Sequence, residues 1–165
     1  MRKKILTAFV VSAAVIAVAW AGVDTPWFDM EHCDFCKHMT KDPKLMDNVT
    51  WEQHEIANGI MIITTVKPEF KASYKEATDA MMKLAHDLET GKVDMKDLTL
   101  CGSCQYYGKL EEAGAKIEYI FANPCDITLF TSENPEVVDM IKKYGQRNQE
   151  EMAKWEAKRA AEREN

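Results

Sequence analysis

Two Cys-x-x-Cys pairs constrain this chain more than any other feature. They are Cys33–Cys36 in "CDFCKHM" and Cys101–Cys104 in "CGSCQYYGKL", and they begin 68 residues apart, Cys33 to Cys101. Similar signals follow each pair. After the first comes "TWEQHEIANGIMIITTVKPEF", and after the second "KIEYIFANPCDITLFTSENPEV". Both contain an extended run, Ala-Asn, a second extended run ending in hydroxyl residues, then Pro-Glu and a helical pattern. Ala57-Asn58 matches Ala122-Asn123, Thr64-Thr65 matches Thr131-Ser132, and Pro68-Glu69 matches Pro135-Glu136. The succession reads as two copies of one ββα unit, about 33–91 and 101–145. Two such units predict an α+β domain over 22–145. Its four-stranded antiparallel sheet would carry helices on one face and an approximate two-fold axis.

Local chemistry agrees with that frame. Asn58-Gly59 is a strong hairpin signal because both residues tolerate positive φ. Asn123-Pro124 marks a turn of another kind with a longer loop. Ile117, Tyr119 and Phe121 alternate with Lys116 and Glu118, the period of a half-buried strand. Pro68 and Pro135 suit a helix's first turn, where no amide hydrogen is needed, and Asn134 is a good N-cap. A helix from Glu69 to Thr90 places Phe70, Tyr74, Ala77, Met81, Leu84 and Leu88 on one face, and Gly91 ends it. A shorter helix starts at "CGSC" and stops at Ala113-Gly114. The last helix starts at Pro135 and extends into the charged segment 146–165, where Met152 and Trp155 keep an apolar edge. That edge packs on the body or on a protein partner, or else the end frays.

Cysteines at i and i+3 set two sulfurs on one side of a tight turn, two adjacent corners of a tetrahedral metal. Two pairs complete a four-thiolate site of Cys33, Cys36, Cys101 and Cys104, with zinc as the first expectation. Magnitudes favour the metal. A disulfide closing a four-residue loop contributes roughly 2 kcal/mol, whereas a structural zinc contributes on the order of 10 kcal/mol or more. Two alternatives stay open. The pairs form two small disulfides and hold no cofactor, or they carry out thiol–disulfide chemistry, since a helix N-terminus depresses a thiol pKa. His32, His38 and Met39 lie within three residues of the first pair and are candidate extra ligands. Thiolate with thioether would favour Cu(I). Cys125 is a reserve ligand or a disulfide partner, because the helix and the returning strand nearly cancel in length. A lone thiol at a loop tip is the alternative.

The N-terminus points outside the cell interior. "MRKK", an apolar run, and Ala19-Trp20-Ala21 make the three-part pattern of a signal peptide over 1–21. An uncleaved anchor through residues 5–22 is the alternative. Export, to a periplasm or beyond, exposes all five cysteines to an oxidising compartment. Removing Arg2, Lys3 and Lys4 takes the net charge from −6 to −9, so nucleic acid is not an expected partner.

Enzymatic chemistry is not nominated. There is no Ser-His-Asp order, no His-Glu-x-x-His and no phosphate-cradling glycine loop. Cys36 is followed by Lys37, not histidine, which removes c-type haem. No strand directly precedes either pair, as a thioredoxin-like site would need. His54 reads as a strand residue and His86 as a solvated helix residue. Met81-Met82 reads as core filler.

"CDFCKHM" followed by a hairpin and a helix, from about Cys33 to His86, resembles the ββα units of the copper-chaperone lipoproteins associated with nitrous oxide reductase. That resemblance implies metal handling. The family carries Cys-x-x-Cys-Gly-Met and a lipobox cysteine. Here Lys37-His38-Met39 stands in place of Gly-Met, no lipobox cysteine is present, and a second Cys-x-x-Cys is added.

Overall fold

The computed structural model describes residues 25–163. The proposed leader and anchor, 1–21 or 5–22, lie outside the described residues. Among the described residues, no helix is long and apolar enough to cross a membrane.

An irregular N-terminal arm leads through the 3-10 turns Cys36–Thr40 and Leu45–Asp47 into strand β1, Val49–Ile56. Strand β2, Gly59–Val66, returns antiparallel and leads through the turn Pro68–Phe70 into helix α1, Lys71–Glu89. Helix α2, Gly102–Glu112, precedes strands β3, Lys116–Ile120, and β4, Cys125–Thr131. Helix α3, Pro135–Arg163, closes the chain. The strands form one antiparallel sheet in the order β1-β2-β4-β3. The α+β class with a four-stranded antiparallel sheet is therefore as the sequence predicts. The two ββα segments share the hairpin-then-helix order. They differ upstream of it: α2 begins within the second Cys-x-x-Cys, whereas the first leads only into two short 3-10 turns.

The ends of the elements follow their sequence signals. Asn134 Oδ1 accepts the Glu136 amide at 3.0 Å, capping α3. Gly91 and Gly114 take φ of +70° and +87° just past α1 and α2, the left-handed stop that glycine permits. The first hairpin differs in detail. Ile56 pairs with Gly59, so the loop is Ala57-Asn58 and Gly59 belongs to β2. No non-glycine residue among those described has positive φ, so Asn58 does not use the freedom expected of it. The glycine is needed for closeness instead: a Cβ at Gly59 would overlap the Phe130 carbonyl of β4.

Two apolar clusters lie between the sheet and the helices. One gathers Met39, Leu45, Met46, Val49, Val66 and Ala77, with Trp51, Tyr74, Met81 and Trp155 against it. The other gathers Ile60, Leu110, Phe130, Val137, Ile141 and Tyr144, with Trp27 and Tyr106 alongside. Ile60, Leu110 and Ile141 have no exposed surface. Burying each contributes roughly 1.5–3 kcal/mol. Helix α3 lies close to the sheet where it passes β1, because a Cβ at Gly145 would meet the Gln53 amide at 2.6 Å. The charged stretch beyond residue 145 continues the same helix and packs on the body. Trp155 rests on the first cluster, and Arg159 pairs with Asp47 at 2.5 Å.

Candidate metal centre

Cys33 and Cys36 sit at the bend where the arm enters its first 3-10 turn, and Cys101 is the N-cap of α2. The fold brings the two pairs together. All four sulfurs lie within 4.8 Å of one another. Across the pairs, Cys33 Sγ is 3.6 Å from Cys104 Sγ, and Cys36 Sγ is 3.7 Å from both Cys101 Sγ and Cys104 Sγ. No disulfide links them. A tetrahedral ion with metal–sulfur bonds of about 2.3 Å sets its sulfurs about 3.8 Å apart. The four cysteines could therefore hold one metal ion. A polynuclear cluster, whose thiolates bind different metal atoms on its outside, needs wider spacing.

Three sets of contacts fix the geometry. Asp34, inside the first pair, donates its amide to the Thr99 carbonyl at 2.9 Å and accepts the Thr99 amide on Oδ2 at 2.8 Å. Lys37 bonds the same carboxylate through Oδ1 at 2.5 Å. Gly102 and Ser103, inside the second pair, donate their amides to the Pro26 and Trp27 carbonyls, both at 2.9 Å. These amides open α2 and would otherwise lack partners. Gly102 suits this close approach, since a Cβ would stand 3.1 Å from Trp27 Cε3. From α3, Asn148 Oδ1 accepts the Trp27 indole N–H at 2.8 Å and the Ser103 hydroxyl at 3.4 Å. Tyr144 OH lies 3.2 Å from Ser103 Oγ, and burial pushes its pKa up to about 12. Its ring stacks on Tyr106 at 5.7 Å.

The sulfurs titrate as one group. In each pair the first thiol is eased and the second opposed. The hydrogen bond with Cys101 pulls Cys33 down, and the one with Cys104 brings Cys101 down to about 7. Contact with Cys101 pushes both Cys36 and Cys104 up, and burial adds to it. The N-terminus of α2 adds a favourable dipole for thiolate. Such a set discourages four free thiolates and suits a cation that neutralises them.

The other candidate ligands are elsewhere. His32 Nδ1 bonds Asp29 at 3.1 Å on the surface. Met39 is buried in the first apolar cluster. His38 lines a small polar cavity of about 190 Å³ with Asp42, Ser73 and Glu76, and its Nδ1 is buried without a hydrogen-bond partner. Burial holds its pKa below the usual value. Cys125 does not join the four sulfurs. It opens β4 opposite Thr65, and the strand pleat turns it to the face away from the helices. Matching lengths of helix and strand carry the backbone back but do not set which face the thiol takes. Among the described residues, no other group of His, Cys, Asp or Glu gathers in this way.

The fold and the site define a class: an α+β protein whose four cysteines could hold a metal ion. Comparison with protein families, curated proteins and solved structures finds no match for this chain.

Proposed function

We propose that this is an exported, non-enzymatic zinc-binding protein, in which one ion joins the N-terminal arm to α2 through Cys33, Cys36, Cys101 and Cys104. The observation that carries this reading is the sulfur spacing, 3.6–3.7 Å across the two pairs. It suits a closed tetrahedral site of four sulfurs, and zinc has no geometric preference that resists it. The nearby histidines and Met39 lie outside the sulfur set, which supports zinc over a mixed thiolate–thioether copper site. Cu(I) is the second ion to test, as the partial resemblance to copper chaperones suggests. The basic and apolar N-terminal run supports export.

A thiol–disulfide role is the second reading, favoured by Cys101 being brought down to about 7 at a helix N-terminus. Access argues against it. Cys33 and Cys101, the two eased thiols, are 0% and 1% exposed, so neither can reach a substrate disulfide.

The test is the metal content and thiol state of protein purified anaerobically. One zinc per chain, with the four thiols reduced and protected from alkylation until chelation, is the expected result. A metal-free protein lighter by two hydrogens per disulfide would end the proposal. Cys33→Ser and Cys104→Ser should each release the same ion. Loss of only half the bound metal in each would mean two sites. Turnover in an insulin-reduction assay would favour the second reading.

A further inference from the structure

The helices cover one face of the sheet, where Ile60, Val66 and Phe130 are buried. The pleat turns Met61, Ile63, Ile127 and Leu129 the other way. These four occupy the two central strands and belong to neither apolar cluster. Ile120, on the same face of β3, is 46% exposed. A sheet face left to water normally carries polar side chains at such positions.

The strand register sorts this face into rows. One row reads His54, Met61, Leu129, Glu118, and its neighbour reads Glu52, Ile63, Ile127, Ile120. The apolar positions are central and the charged ones mostly at the rim, the usual anatomy of an interface.

We propose that a second copy of this chain covers the face, in a two-fold dimer whose axis runs parallel to the strands, between β2 and β4. That operation lays β1 over the partner's β3 and β2 over the partner's β4. His54 then meets the partner's Glu118, and Met61 meets the partner's Leu129. In the next row Ile63 meets the partner's Ile127. The first row is complementary to itself, with apolar on apolar at the centre and an imidazole N–H facing a carboxylate at each end. A two-fold interface requires such self-complementarity. Stacked sheets aligned at about 10 Å allow these contacts. Four strands about 4.8 Å apart and about seven residues long make a face of roughly 450 Å², small enough that the dimer dissociates reversibly in the micromolar range.

Sedimentation equilibrium of the purified, metal-loaded protein tests this. A monomer–dimer equilibrium is expected, and a monomer at about 100 μM overturns the proposal, whether residues 1–24, a membrane or another protein covers the face instead. Leu129→Glu should give a monomer with unchanged metal content. His54→Glu, at an exposed position, sets two carboxylates opposite each other and should weaken the dimer about tenfold. Adding Glu118→Lys should restore it. A dimer that withstands both single substitutions uses another surface, and a double variant that stays weak has another register. Either result overturns the proposal, and neither touches the metal reading, which the sulfurs alone decide.

Discussion

The two Cys-x-x-Cys pairs have the same spacing and unlike supports. The second begins a regular helix. Its amides are capped by the Pro26 and Trp27 carbonyls, and Ser103 is held by Tyr144 and Asn148. The first lies in an arm of turns. Beyond the sulfurs, its direct tie to the second pair's approach is the Asp34–Thr99 contact. One half of the site is thus organised by helix packing; in the other, Met39 anchors the turn beyond Cys36 in the first apolar cluster, and the bend from Asp29 to Lys37 relies most on what joins the sulfurs. A bound ion should do most of its work on the arm.

Metal removal tests that contrast most severely. A structural ion contributes on the order of 10 kcal/mol. Chelation should strip hydrogen-exchange protection from residues 29–37 and leave much of it on α2. Equal loss on both sides would erase the distinction. Trp27→Ala comes next, since Trp27 is where the arm meets α2 and α3. It should cost about 2–3 kcal/mol in the metal-loaded protein, read from denaturant unfolding. Gly102→Ala forces a methyl against Trp27 and should cost about 1–3 kcal/mol, while Gly108→Ala, with open space around it, should not destabilise.

Asp34→Asn should have the smallest effect, about 1 kcal/mol at neutral pH, because the carboxylate is partly exposed. The Lys37 ammonium and the Thr99 amide hold the Asp34 carboxyl below its ordinary 3.8. Its contribution is therefore complete above that value and fades as pH falls below it through the folded pKa. The wild-type protein should lose stability in that acid window, and Asp34→Asn should lose less there.

The sequence made the hairpins, helix stops and Asn134 cap legible because each rests on local backbone chemistry. Spacing and parallel placement also made the meeting of four cysteines legible. What stayed hidden was set by contacts distant in sequence. Nothing near Trp27 announces that its indole bonds a residue 121 positions away. Asp34 and Thr99 are 65 apart. Asn148 lies in the charged extension, where the sequence marked only Met152 and Trp155 as an apolar edge, yet it bonds Ser103 inside the second pair. His38 and Met39 lie two and three residues beyond Cys36, but the 3-10 turn sends Met39 into the core and His38 toward α1. Proximity along the chain was a poor guide to ligation there. Cys125 shows the converse, because strand parity decides a side chain's face and a length estimate does not.

Helix α3 touches both apolar clusters: Val137, Ile141 and Tyr144 sit in one, and Trp155 rests on the other. A rod anchored at both ends cannot let go of one without loosening the other. Heating should therefore produce a single shared melting event in place of two staggered ones, with Trp27 and Trp155 changing their fluorescence at the same temperature.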